Sequence, residues 1–347
     1  MTLDEDVSSP LEARFEELAT DVAGFYRSWL VYLGLELGLF ARIRDAGEAG
    51  IEPAALAAAA GCVREPIEAW VRAADAGELV VLEGGRVRID SDVAAILLDD
   101  DRPEYLGGQF VWTVVASLDY DDLAEFFRTG RTIPERPPRF HRAIEALTVQ
   151  DIAVFFQEAL AVLPDLAADL ARGIRVLDVA CGGGRWLVAI GRRFPNTTAV
   201  GVEFEPDSVA RAMKNVGAAG LADRIRIEAR DVVELPYRGE FDLVYYQDAL
   251  HEIADPGRSL ATAWQALRPG GRLVVLDWCL PSTAEESRTL QGELLWAVQL
   301  DELYQGTRLY PREGFAELFR SAGLPEPTAI DLPSGATVFL ASRPVEA

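Results

Sequence analysis

The stretch Val176-Leu177-Asp178-Val179-Ala180-Cys181-Gly182-Gly183-Gly184 constrains the fold of this chain more than any other. Four apolar residues around one carboxylate read as a buried strand, and the glycines after them read as a tight loop. Trp186 to Arg193 then has helical spacing. Thr198 to Val202 is a second apolar strand, and it runs into Glu203. Glu203 follows the loop by about 20 residues, the distance at which a doubly wound unit presents an acid to ribose hydroxyls. Glycines let the backbone approach a ligand where a Cβ would collide. Strand, loop, helix, strand and acid together predict a nucleotide-binding half-unit.

The loop also discriminates between nucleotides. A dinucleotide site needs G-x-G-x-x-G, with the pyrophosphate on the helix N-terminus. Here Gly182-x-Gly184 is followed by Leu187 where the third glycine would fall. Asp178, just ahead of the loop, has the wrong sign for a pyrophosphate. It suits a ligand that carries an ammonium or a sulfonium.

Composition excludes several alternatives. The net charge is −23, from 33 basic and 56 acidic residues. That argues against nucleic acid and anionic membrane surfaces, both of which select basic faces. Cys62, Cys181 and Cys279 are far apart, with no C-x-x-C and no Cys/His cluster, so the sequence indicates neither zinc, nor any other metal, nor a disulfide framework. Met1 to Pro10 has no basic n-region and no apolar h-region, so no signal peptide is expected. No apolar run is long enough to span a bilayer. A reducing cytoplasm is the expected location.

Two patterns divide the chain. From Leu11 to Ile43, Phe15, Leu18, Val22, Phe25, Leu30, Leu33, Leu37 and Phe40 recur at helical spacing. Helices follow over Glu52 to Ala60 and Glu65 to Ala76, the latter closed by Gly77. Leu79 to Leu82 and Arg86 to Ile89 flank Glu83-Gly84-Gly85 and read as a hairpin. Ser91 is placed to cap a short helix into Leu98. Three helices and a hairpin make a winged helix. Its would-be reading helix sets Arg64 and Arg72 against Glu65, Glu68 and Asp75, too little positive charge to neutralise phosphates.

Arg102 to Arg131 reads as helical and rich in aromatic residues, Thr132 to Pro138 as a loop, and Phe140 to Leu170 as helices. From Ile174 strands and helices alternate. Strands are expected at Ile174 to Ala180, Thr198 to Val202, Ile225 to Ala229, Phe241 to Tyr246, Arg272 to Leu276, Thr328 to Leu332 and Ala336 to Ala341. Alternation predicts a mostly parallel doubly wound sheet, with the last two strands joined by Pro333-Ser334-Gly335 as an antiparallel edge.

The loop resembles motif I of the class I S-adenosylmethionine-dependent methyltransferases, D-x-G-x-G-x-G, with Ala180 in place of the first glycine. Together with the winged helix, the chain resembles the winged-helix O-methyltransferases of plant phenolic and bacterial natural-product chemistry. The resemblance implies an α/β fold: a Rossmann-like, doubly wound, seven-stranded methyltransferase sheet with an N-terminal, mostly α, winged-helix dimerisation domain. It implies three regions: residues 1–100 for dimerisation, 101–165 as a helical linker and wall of the substrate pocket, and 166–347 for the cofactor.

The cofactor would be S-adenosylmethionine, held by Asp178, Ala180, Gly182, Gly184, Glu203, Asp231, Val232 and Gln247. His251, in Ala249-Leu250-His251-Glu252, resembles the base of the family's L-H-D-W motif. Asp277, in Asp277-Trp278-Cys279-Leu280-Pro281, resembles the acid that orients it. The family's second acid, in G-G-K-E-R-T, falls in Gln305-Gly306-Thr307-Arg308-Leu309-Tyr310, where Arg308 takes its place and could receive a substrate carboxylate. Phe155, Trp296, Gln299 and Arg308 are the candidate acceptor contacts. The expected activity is methyl transfer to a small aromatic acceptor, at oxygen, by a homodimer that engages neither nucleic acid nor membrane. Rival readings are C- or N-methylation, a cofactor-retaining relative that decarboxylates, hydroxylates or cyclises, and a winged-helix regulator.

Overall fold

The computed structural model describes residues 10–133 and 135–345. Apart from Pro10, the expectation for Met1–Pro10 therefore lies outside the described residues, as does Pro134 of the expected loop. The chain forms two compact units. One comprises residues up to Asp100 with Tyr105–Leu118, and the other Asp101–Glu104 with Asp119 onward. The segment 101–165 is thus shared between them.

In the first unit, helices Leu39–Asp45, Pro53–Ala60 and Arg64–Ala76 precede a hairpin of β1 (Val81–Glu83) and β2 (Arg86–Arg88). Glu83 pairs with Arg86, so Gly84 and Gly85 form a two-residue turn. Both have positive φ, 57° and 77°, as the tightest hairpin turns require. Phe40 and Trp70 meet edge to face in the core, and the Trp70 indole donates to Leu30 O at 2.9 Å. Gly77 closes helix Arg64–Ala76 as its C-cap with φ −90°, and the left-handed conformation falls on Glu78 instead. Asp90, not Ser91, caps helix Ser91–Leu98, accepting from the Asp92 and Val93 amides.

The expected helix over Leu11–Ile43 breaks at Gly38, which has φ 62°. Its first part, Pro10–Glu36, leaves Leu11, Phe15, Leu18, Val22, Phe25 and Tyr26 more than half exposed. Their spacing of three and four makes one apolar stripe.

The second unit is built on a seven-stranded sheet of β3 (Arg175–Val179), β4 (Thr198–Glu203), β5 (Ile225–Ala229), β6 (Phe241–Gln247), β7 (Leu267–Asp277), β8 (Thr328–Asp331) and β9 (Thr337–Ser342). The order is β5-β4-β3-β6-β7-β9-β8. All neighbours are parallel except β9, which runs antiparallel to β7 and β8. This is the doubly wound sheet with an antiparallel edge that the alternation predicts. Strand β7 starts earlier than Arg272 because Leu267 pairs with Phe241 across a bulge.

Side chains alternate between the two faces, as strands require. Val176, Leu243, Tyr245, Val274 and Leu276 pack under helices that include Pro164–Arg172 and Arg185–Arg193. Leu177, Val179, Val244, Tyr246, Leu273 and Val275 pack under Pro256–Ala266 and Arg312–Ser321. Order reverses between β3 and β6, and the crevice beyond their carboxyl ends is where such sheets bind ligands.

Candidate active site

The glycine loop leaves β3 through three residues with positive φ: Ala180 at 58°, Gly182 at 50° and Gly184 at 68°. Ala180 holds without strain-free licence a conformation that glycine adopts freely, at a cost of roughly 1–2 kcal/mol. The Cys181 amide donates to Val202 O, and the Gly184 amide to Cys181 O, which fixes the loop against β4. A Cβ on Gly182 would meet nothing within 4 Å, so this face of the loop is an open cradle.

Glu203, at the end of β4, is 6% exposed. Its Oε2 accepts from the Gly182 amide at 3.0 Å, and its Oε1 from the Phe204 and Glu205 amides at 2.9 and 3.0 Å. Three backbone donors therefore aim one carboxylate along the loop. Asp178 is 2% exposed, and its Oδ2 has no hydrogen-bond partner. Burial, reinforced by Glu203, pushes its pKa well above the usual carboxylate range. An orphaned buried oxygen beside an open glycine cradle fits a ligand that brings a hydrogen-bond donor and positive charge.

The other expected contacts surround the same strand ends. Asp231 is exposed and accepts from the Val233 amide at 3.0 Å, as the N-cap of a 3₁₀ turn. Val232 is buried beneath it. At the end of β6, Gln247 accepts from the Tyr245 hydroxyl and donates to Thr148 O, both at 3.4 Å.

His251 lies on the 3₁₀ turn Leu250–Glu252, just past β6. It is 5% exposed, and its Nδ1 is 2.9 Å from Oδ1 of Asp277, which ends β7 and is wholly buried. Asp277 Oδ1 also accepts from the Trp278 amide, so its direction is set by backbone. Asp248 Oδ1 lies 3.9 Å from the same ring nitrogen, on a residue with φ 46°. Burial alone would lower the His251 pKa, but Asp277, Asp248 and Glu302 outweigh it and raise the pKa well above 6.5.

Residues 170–314 match the methyltransferase-domain family. This span of the chain is similar to methyltransferase domains. The 27-O-demethylrifamycin SV methyltransferase of Amycolatopsis mediterranei is 33% identical over 167 residues, 46% of this chain and 59% of that protein. The demethylmenaquinone methyltransferase of Deinococcus radiodurans is 38% identical over 110 residues, 31% of this chain and 45% of that protein. The chain thus spans about half the length of these curated relatives.

Solved structures extend the fold likeness over nearly the whole chain. A putative O-methyltransferase from Nostoc punctiforme superposes with TM-score 0.73 at 20% identity, covering 97% of this chain and all of that one. The mitomycin 7-O-methyltransferase MmcR gives 0.69 at 20% identity, with 97% and 100% covered. Human N-acetylserotonin methyltransferase gives 0.68 at 19% identity, with both chains fully covered.

The acceptor-side expectations fare unevenly. Phe155 is fully buried, packed 5.2 Å from Trp186 and 5.0 Å from Tyr245, and so is a core residue and not a pocket wall. Gln299 is buried and accepts from the Leu309 amide at 2.7 Å, which holds a loop in place. Trp296 is 45% exposed and donates to Ser287 Oγ. Arg308 is exposed.

A further carboxylate approaches His251 from elsewhere. Glu302, on helix Leu290–Gln305, is 4% exposed, and the nearest ligating atoms of His251, Glu252 and Glu302 all lie within 4.8 Å of one another. Thr307 Oγ1 donates to Glu302 Oε2 at 2.6 Å. The segment where the family's acid falls, Gln305–Tyr310, holds Arg308 instead, whereas Glu302 comes from the helix that Gly306 ends. Asp151, 3% exposed, also joins this cluster and accepts from the Trp278 indole at 3.3 Å. Burial and Asp248 raise its pKa well above normal. Burial raises Asp248 to about 7, against the pull of His251. Asp151, Asp248 and Glu302 had no motif to announce them. The fold likewise gathers three-donor sets, Asp248–His251–Asp277 and His251–Glu252–Glu302, where the sequence shows no metal-ligand spacing.

Proposed function

We propose that this chain is an S-adenosylmethionine-dependent methyltransferase that methylates a hydroxyl of a small aromatic molecule, with His251 as general base. The observation that carries the reading is the buried His251–Asp277 pair at 2.9 Å, beyond the strand ends and beside the Asp178 cradle. When bound, S-adenosylmethionine supplies an electrophilic methyl group on a sulfonium. Glu203 would hold the ribose hydroxyls, and Asp178 Oδ2 would face the positively charged end. By donating its Nδ1 proton to Asp277, His251 keeps Nε2 as the acceptor for a hydroxyl proton. A phenol has a pKa near 10, so its proton must leave for the oxygen to be a good nucleophile at neutral pH. Asp277 then stabilises the imidazolium as it forms.

The rifamycin and mitomycin methyltransferases among the similar proteins support a role in secondary metabolism. The exposed stripe on helix Pro10–Glu36 supports homodimerisation, since large contiguous apolar faces are seldom left to water. Among the described residues no single helix is long and apolar enough to cross a membrane. Three free cysteines support a cytoplasmic location.

The test is release of S-adenosylhomocysteine with a panel of phenols, catechols and hydroxyquinones. Turnover by the wild type with a His251→Ala loss of ~10²–10⁴-fold is the expected result. Near-full activity in His251→Ala would remove the base and favour carbon or nitrogen methylation.

A further inference from the structure

Helix Leu290–Gln305 presents two adjacent buried acids to different surroundings. Glu302 brings a carboxylate oxygen within 4.8 Å of the His251 ring. Asp301 is 2% exposed and ion-pairs with Arg136, itself 6% exposed. Arg136 also reaches Asp119 at 3.5 Å, and Asp119 pairs with Arg139. The Arg136 guanidinium lies 4.3 Å from the centre of the Phe140 ring and 5.6 Å from that of Tyr304. Gln305 donates to the other oxygen of Asp301 at 2.9 Å, and the Ile133 amide donates to Tyr304 O at 2.9 Å. Arg136 thus fastens the segment before helix Pro138–Leu147 to the last turns of helix Leu290–Gln305, while Asp119 joins Arg136 to Arg139.

We infer that Arg136 is a positioning residue that sets the rotation of helix Leu290–Gln305 and thereby holds the Glu302 carboxylate against His251. The inference rests on the reading of His251 as the base. Successive helical residues point about 100° apart around the axis, so fixing Asp301 fixes the direction of Glu302. Arginine keeps its charge at any working pH, and its planar fork makes the pairing directional. A misplacement of only 1 Å can cost about 100-fold in rate. The groups facing His251 are Asp248, Asp277, Glu252 and Glu302, with Asp151 also in the cluster. Only Glu302 comes from the helix that Arg136 grips.

The experiment compares Arg136→Met, Arg136→Lys, Glu302→Gln and the double variant Arg136→Met/Glu302→Gln. Cofactor binding is measured by calorimetry, and kcat/KM is followed against pH. Expected for Arg136→Met are unchanged cofactor affinity, a kcat about 10- to 100-fold lower, and a rising limb about 0.5–1 pH unit lower as Glu302 retreats from His251. The double variant should show no further shift beyond Glu302→Gln, because both act on one contact. Arg136→Lys should restore part of both effects. A folded Arg136→Met with the wild-type profile overturns the inference, as does an additive shift in the double variant.

If Arg136→Met does not fold, Arg136→Lys decides, and a wild-type profile there overturns it. If the wild type shows no methyl transfer, the His251 reading fails. The positioning claim is then read from the His251 ring nitrogen resonances, which should move alike in Arg136→Lys and Glu302→Gln. Resonances that stay put in Arg136→Lys overturn the claim.

Discussion

Asp277→Asn separates the charge of the orienting residue from its shape. Asp277 is wholly buried and His251 nearly so, and their contact is 2.9 Å. A hydrogen bond between such groups, one of them ionised, is worth about 1.5–3 kcal/mol. One pKa unit corresponds to about 1.36 kcal/mol, so removing the charge should lower the His251 pKa by about 1–2. In the wild type Asp277, Asp248 and Glu302 raise the His251 pKa, so activity should rise with pH as the ring loses its proton. In Asp277→Asn that rise should come about 1–2 pH units earlier. The plateau should fall by roughly 10- to 150-fold, since the same energy no longer stabilises the imidazolium in the transition state.

The assay is kcat/KM against pH at saturating cofactor, with an acceptor whose own pKa lies outside the limb. His141 and His251 are the chain's only histidines, so NMR titration of the ring can follow the same pKa directly. An unmoved limb in Asp277→Asn would refute the reasoning, because the titrating group would then not be the histidine that Asp277 holds.

Two further outcomes follow from the same geometry. Asp178→Asn should stabilise the ligand-free protein by about 1–3 kcal/mol, seen as a higher Tm at neutral pH, while abolishing cofactor binding. The sign follows from a folded pKa raised above the unfolded one: the buried carboxylate costs stability above its unfolded pKa, and the wild type should gain stability as pH falls through the raised value. A lower Tm for Asp178→Asn would show that the carboxylate has a stabilising partner. Phe15→Glu with Leu18→Glu should convert a dimer into a monomer by light scattering without unfolding the chain, since both side chains are exposed at 70% and 59%. An unchanged mass would place the dimer contact elsewhere, or mean there is none.

Much of this was legible in the sequence because it is local. The loop from Asp178 to Gly184, and Glu203 one strand later, are fixed by a short strand-loop-helix-strand segment. Strand alternation gave the sheet, down to its antiparallel edge. His251 and Asp277 are readable because the first follows a strand and the second ends one, each within a recognisable motif. The rest of the site depends on tertiary placement. Glu302 projects from a 16-residue helix, Asp151 from a six-residue one, and Asp248 from a left-handed backbone position. Phe155 and the stripe from Leu11 to Tyr26 are alike apolar in the sequence. Only packing separates the first, fully buried, from the second, left to solvent.

The most direct test of the central claim is calorimetric titration of the purified protein with S-adenosylmethionine and S-adenosylhomocysteine, beside a Glu203→Ala variant. The account predicts micromolar binding of both by the wild type and loss of both in the variant. Absence of binding by a folded wild-type protein, or binding that survives in Glu203→Ala, would contradict it.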